Sequence, residues 1–165
     1  MRDDEARFEA IFRNLGAVAA YARRRGSRDP DALAAEVMTI AWRRLDRVPR
    51  DDPAPWLYAT ARNLLLAERR GLPPTTGAPP DVAAPATDLV SLDPAIDRAL
   101  RALSPTDREA LLLVAWEDLT PTQAARALGM KATAFRVRLL RARRRLQAAL
   151  AEDARPLLMI EVEEA

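Results

Sequence analysis

Neither cysteine nor histidine occurs anywhere in this chain of 165 residues. The first absence removes disulfides, thiol nucleophiles and cysteine metal sites; the second removes the commonest metal ligand and the commonest general base. Histidine triads, zinc centres and thiol redox chemistry are therefore excluded. Glycine is scarce, at 5 residues, and aromatic residues make up only 5% of the chain. Lysine is nearly absent as well, one standing against 25 arginines. No apolar run approaches the roughly 18 residues that a membrane-spanning helix needs. The amino terminus places Asp3, Asp4 and Glu5 where a secretory signal is basic and then apolar, so a soluble, cytoplasmic protein with no membrane association is expected.

What the chain does contain is alanine, arginine and leucine, which together fill 82 positions. All three are strong helix formers, and an all-α fold is expected. The net charge of +2 conceals a pattern: +3 over residues 1–70, −3 over 71–100, +6 over 101–150 and −4 over 151–165. From Leu119 to Ala151 there are eight basic residues and no acid, which marks that segment as the candidate polyanion-binding surface.

Between Gly71 and Pro94 lie six prolines and two glycines, a composition that excludes a helix interior or a central strand. These 24 residues read as an extended linker, able to stretch over roughly 80 Å at about 3.3 Å per residue, so the blocks on either side need not touch. The first block, residues 1–70, is expected to hold three helices: one from Asp4 to Arg25, one after the Asp29-Pro30 cap ending near Asp46, and one from Pro55 to Arg70. Trp42 and Trp56 are expected to fill its core. The second block, 95–151, opens with a short helix after Asp93-Pro94. A second follows the Ser104-Pro105 cap, with Asp107 facing the positive helix end. Thr120-Pro121-Thr122-Gln123 is a capping box for a helix of barely two turns before Gly129. A long basic helix then runs from Ala132 to Ala151, and an acidic tail fills 152–165. A short helix, a glycine turn and a long basic helix make a helix-turn-helix.

On the last helix Phe135, Leu139, Ala142 and Leu146 form a buried stripe by spacing, while Thr133, Arg136, Val137, Leu140 and Arg141 fall opposite. A recognition helix needs this division, one face anchored and the other free to meet base edges in the major groove. Arg136 and Arg141 reach far enough for guanine edges or phosphates. Arginine-rich helix faces are usually only solvated, but this one has no acid to pair with and follows a capped helix and a glycine turn.

The stretches Leu103–Leu113, Leu119–Met130 and Ala134–Leu146 resemble the promoter-binding region 4 of bacterial sigma factors of the extracytoplasmic-function class. Glu36-Val-Met-Thr-Ile-Ala-Trp42 and Trp56-Leu-Tyr-Ala-Thr-Ala-Arg-Asn63 resemble region 2 of the same family. The resemblance implies two helical domains that bind core RNA polymerase and promoter DNA, with no catalysis, no metal, no cofactor and no small-molecule substrate. It implies polymerase contacts through Leu33, Glu36, Arg43 and Arg44, and it departs from the family at Ala32 and Ala35, where an Asp and a Gln are usual. It implies minus-ten contacts near the loop from Arg50 to Pro55 through Tyr58, Arg62, Asn63, Arg69 and Arg70. It implies minus-thirty-five contacts through Lys131, Thr133, Ala134, Arg136, Val137, Leu140 and Arg141, with Arg138 at the DNA backbone. Families of this kind are commonly held by an anti-sigma factor. Two readings from other classes are a stand-alone helix-turn-helix regulator, which needs a dimer surface, and a helical adaptor whose basic face is incidental.

Overall fold

The structure, a computed structural model, describes residues 2–71 and 93–163, with side chains as far as Glu152. Every regular element among them is helical: α1 (Arg2–Phe12), α2 (Leu15–Arg24), α3 (Pro30–Arg43), a 3-10 turn at Leu45–Arg47, α4 (Ala54–Arg69), α5 (Pro94–Arg101), α6 (Pro105–Ala115), α7 (Pro121–Ala127) and α8 (Ala132–Glu163).

Local chemistry sets most boundaries. The carboxylate of Asp29 accepts from the Ala32 amide at 2.9 Å, Asp93 accepts from Ala95 at 2.8 Å and the Ser104 hydroxyl accepts from Asp107 at 3.2 Å, each ahead of a proline that needs no amide partner. At α7 the capping box is complete, with the Gln123 amide donating to Thr120 Oγ1 at 3.2 Å and the Thr120 amide donating to the Gln123 side chain at 2.9 Å. Gly129 ends α7 with φ +65°, and the Met130 amide returns to the Ala125 carbonyl at 2.8 Å.

Three expectations change. The helix expected from Asp4 to Arg25 is two helices, because Asn14 turns the chain and its side-chain amide donates to the Ile11 carbonyl at 2.9 Å, a local bond that competes with the helix ladder. The N-terminal domain therefore has four α-helices. Trp42 does not fill the core: it is 48% exposed, its ring edge-on to Phe8 at 5.1 Å, with Phe12 also on the surface. Trp56 is half-buried against the core as expected. At the other end α8 continues past the expected stop near Ala151 to Glu163, with Pro156 inside the added length. Most of the expected linker, residues 72–92, lies outside the described residues.

The two helical blocks share one apolar core, in which Tyr21, Val37, Leu57 and Ala61 from the first join Leu112, Leu113, Ala124 and Phe135 from the second. Helix α4 packs on α7, and α8 packs on α5, α6 and α7. Blocks that the connecting length would have left free to separate are here in contact.

The space around a Cβ at position 129 is open, so only the backbone resists a side chain there. Gly129→Ala is expected to lower stability by about 1–2 kcal/mol, the cost of a left-handed residue, read as a shift in the thermal unfolding midpoint.

Candidate nucleic-acid interface

Helix α8 meets its neighbours through Phe135, Leu139 and Ala142, which are fully or almost fully buried. The stripe read from spacing is thus the anchored face. Opposite it, Lys131, Thr133, Ala134, Arg136, Val137, Leu140 and Arg141 are all exposed. Val137 is 50% and Leu140 49% exposed, an unusual display of large apolar side chains between two arginines. Apolar tips beside guanidinium groups suit thymine methyls beside guanine edges and phosphates. Lys131 stands directly before the first turn of α8, and its carbonyl accepts from the Phe135 amide at 3.0 Å.

Arg138 differs from the other candidates. It is half-buried, and its Nη1 donates to Asp107 Oδ1 at 2.8 Å, while Arg145 Nη1 donates to Asp107 Oδ2 at 2.8 Å. Asp107, expected to face the helix end, is turned toward α8 and only 4% exposed. Arg138 and Arg141, with Met130 and Val137, line a cavity of about 440 Å³ along this edge of the helix.

The residues expected to read the minus-ten element are dispersed. Tyr58 is 7% exposed and packs its ring against Tyr21 at 5.1 Å, so it offers no open aromatic face in this arrangement. Arg69 Nη2 donates to the Arg25 carbonyl at 2.6 Å, closing the end of α2. Arg62 and Asn63 are half-buried and Arg70 is exposed. Of the expected polymerase contacts, Leu33 is buried, Glu36 and Arg44 are half-buried and Arg43 is exposed. Leu33 and Glu36, with Ala32, line a groove of about 320 Å³ between the start of α3 and the end of α4. Among the described residues no cluster of three or more carboxylates is placed to hold a metal ion, and no helix is long and apolar enough to cross a membrane.

The strongest electrostatic feature lies between the two blocks and was not anticipated. Arg25, 2% exposed, directs Nε to both carboxylate oxygens of Glu109 at 3.0 and 3.1 Å and Nη1 to Glu117 at 2.7 Å. The Tyr21 hydroxyl donates to Glu109 at 2.9 Å, and the guanidinium lies 3.7 Å from the centre of the Tyr21 ring. Arg24 pairs with the second oxygen of Glu117. Burial alone pushes Glu109 upward, but the charge of Arg25 and the bonds from Arg25 and Tyr21 outweigh it and hold the carboxyl below its ordinary range. Burial and then Glu109 raise Tyr21 well above the usual phenol value. A second polar contact joins the blocks where Asp52 accepts from Gln123 at 3.2 Å and Arg126 at 3.3 Å. The partners of Arg25 lie 84 and 92 positions away, beyond the reach of any local pattern.

An exposed basic helix anchored behind a capped short helix is a helix-turn-helix arrangement, which many DNA-binding proteins share. Residues 94–146 match the family Sigma-70, region 4. The sigma factor RpoE of Bartonella quintana, solved in complex with the anti-sigma factor NepR, is 23% identical, with 87% of this chain and 95% of that chain covered and a TM-score of 0.60. CnrH, solved in complex with the cytosolic domain of CnrY, is 24% identical, with 88% of each chain covered and a TM-score of 0.61. No curated protein matches the sequence. Residues 94–146 are thus similar to sigma-70 region 4, and the chain shares the helical fold of RpoE and CnrH, in line with the sequence resemblance.

Removing one member of the buried cluster strands the other charges. Glu109→Gln is expected to cost about 3–5 kcal/mol in urea unfolding. Because the folded carboxyl is held low, its stabilisation is complete above the ordinary value of 4.5 and is lost as pH falls through the lowered folded value. The urea midpoint of the unmodified protein is therefore expected to fall on acidification from about 4.5 down to that value, and Glu109→Gln to flatten that limb of the profile.

Proposed function

We propose that this protein is a sigma factor: it binds core RNA polymerase, reads promoter DNA with both domains and directs transcription initiation without catalysing a reaction itself. The observation that carries this reading is the outward face of α8, where Arg136, Val137, Leu140 and Arg141 stand exposed on a region 4 scaffold. In this proposal α8 enters the major groove of the minus-thirty-five element, with Lys131 and Thr133 at its leading end. The N-terminal domain docks on polymerase through the exposed face of α3 around Glu36, Arg43 and Arg44, and it meets the minus-ten element through Asn63, Arg62 and Arg70. The working compartment is the cytoplasm, where polymerase is.

Two promoter elements about 25 base pairs apart are separated by about 85 Å at 3.4 Å per pair. Domains that share a core cannot reach both, so the reading includes an open state in which Arg25 and Asp52 release their partners. The roughly 80 Å that the joining residues can span, added to the width of the domains themselves, covers that separation. Holding both readers on polymerase makes each weak DNA contact effectively intramolecular. RpoE is solved in complex with the anti-sigma factor NepR, which supports an anti-sigma partner for this chain too.

Run-off transcription with core polymerase tests the proposal: a promoter-directed transcript that depends on this protein is the expected result, and a failure to form holoenzyme overturns it. Binding to duplex DNA as a dimer in the absence of polymerase would favour a stand-alone regulator instead. Arg136→Ala and Arg141→Ala are each expected to weaken upstream-element recognition by about 1–3 kcal/mol while leaving polymerase binding intact, measured by DNA mobility shift of the holoenzyme.

A further inference from the structure

The arginines of α8 are not held on equal terms. Arg136 and Arg141 are exposed, and no ion pair to either is seen among the described residues. Arg138 and Arg145 both end on Asp107, one on each oxygen, at 2.8 Å. Seven residues separate them, so they leave α8 about 10 Å apart along its axis and converge on a single carboxylate of α6.

Ion pairs at a surface contribute little, because water serves each charge almost as well as the partner does. This pair of contacts differs in one respect: the Asp107 side chain is only 5% exposed, whereas the two arginine side chains are 36% and 63% exposed. With both arginines in place, little water reaches the Asp107 carboxylate. An arginine that swung out to a DNA phosphate would leave a buried carboxylate short of a counter-charge, and that penalty exceeds what an exposed guanidinium gains at a phosphate. The first turn of α6 offers the carboxylate some compensation, but its amide at Asp107 is already given to Ser104.

We propose that Asp107 is the positioning residue of the DNA-reading helix, withholding Arg138 and Arg145 from phosphate contacts and using them as two struts that set the rotation of α8 on α6. Two attachments along one helix edge fix its roll, which the small side chain of Ala142 between them does not. With the roll set, Arg136, Val137, Leu140 and Arg141 face outward together. This assignment rests on the reading of α8 as a DNA-binding helix. It moves Arg138 from the DNA backbone to the protein interior face.

The test is the salt dependence of DNA binding by the full chain, measured by fluorescence anisotropy on a mixed-sequence duplex of about two helical turns between about 50 and 200 mM salt. Each phosphate contact contributes about −0.9 to the log-log slope. Arg145→Ala is expected to leave the slope of the unmodified protein unchanged, and Arg141→Ala to flatten it by about 0.9. Asp107→Asn is expected to free both arginines, steepening the slope by up to about 1.8 and tightening binding to this duplex at low salt, whereas Asp107→Glu keeps the original slope. An Arg145→Ala slope flattened as much as that of Arg141→Ala overturns the assignment even if Asp107→Asn fails to fold. Absence of any salt-dependent binding by the unmodified protein overturns the DNA-binding reading itself and the assignment with it, an outcome distinct from unequal slopes among variants that do bind.

Discussion

A guanidinium group sealed between two domains is the constraint from which the rest of this arrangement follows. Arg25 has almost no access to water, so every position of α2 relative to α6 that does not bring Glu109 and Glu117 to it is penalised by an unpaired buried charge. The cluster need not contribute much net stability, since desolvating three charges offsets much of their attraction. Its effect is selective. Apolar contacts among leucines and alanines tolerate sliding by a fraction of a turn; a guanidinium plane bonded through two nitrogens and resting on the Tyr21 ring does not. Once α6 is placed, α7 and α8 follow, because both pack against it.

The same chemistry makes the interface separable. Its centre is built from groups that water solvates well, so exposing Arg25, Glu109 and Glu117 returns to each the hydration it lost. A purely apolar interface of the same extent has no such recompense on opening. The second polar contact, Asp52 with Gln123 and Arg126, joins the loop before α4 to the short helix of the helix-turn-helix. Closed, the protein keeps Tyr58 and the α4 surface against α7 while leaving the outer face of α8 in water. The two surfaces proposed to read DNA therefore differ in access within one structure, and the proposed function asks the domains to part only for the first of them.

Legibility followed range. Caps at Asp29, Ser104 and Thr120 and the stop at Gly129 act over three or four residues, and each could be read directly. The anchored stripe of α8 was equally plain, because burial against any neighbour imposes the same helical period. The break at Asn14 was hidden, since a single Asn is tolerated within a helix and only its bond to the Ile11 carbonyl reveals the turn. Trp42 misled for a different reason: a large aromatic residue predicts burial, yet it joins Phe8 and Phe12 in an aromatic patch on the surface, outside the core. Tyr58, a minus-ten contact by resemblance, packs its ring against Tyr21, 37 positions away, a pairing that no local pattern contains.

By itself the sequence determined that the protein is helical, that two helical blocks flank a proline-rich connection, that the second block carries a basic helix behind a glycine turn, and that thiol and imidazole chemistry are absent. These properties depend on composition, on short-range hydrogen bonding and on the period of apolar residues, all written along the chain. Only the tertiary structure decided which charges meet: that Arg25 finds Glu109 and Glu117, that Asp52 joins the second block, and that Arg138 turns inward to Asp107 while Arg136 and Arg141 stay in water. Charge acts through space, and a chain with 25 arginines and 24 acids offers far more pairings than it can satisfy at once. Burial selects among them, since a pair matters in proportion to the water it has lost.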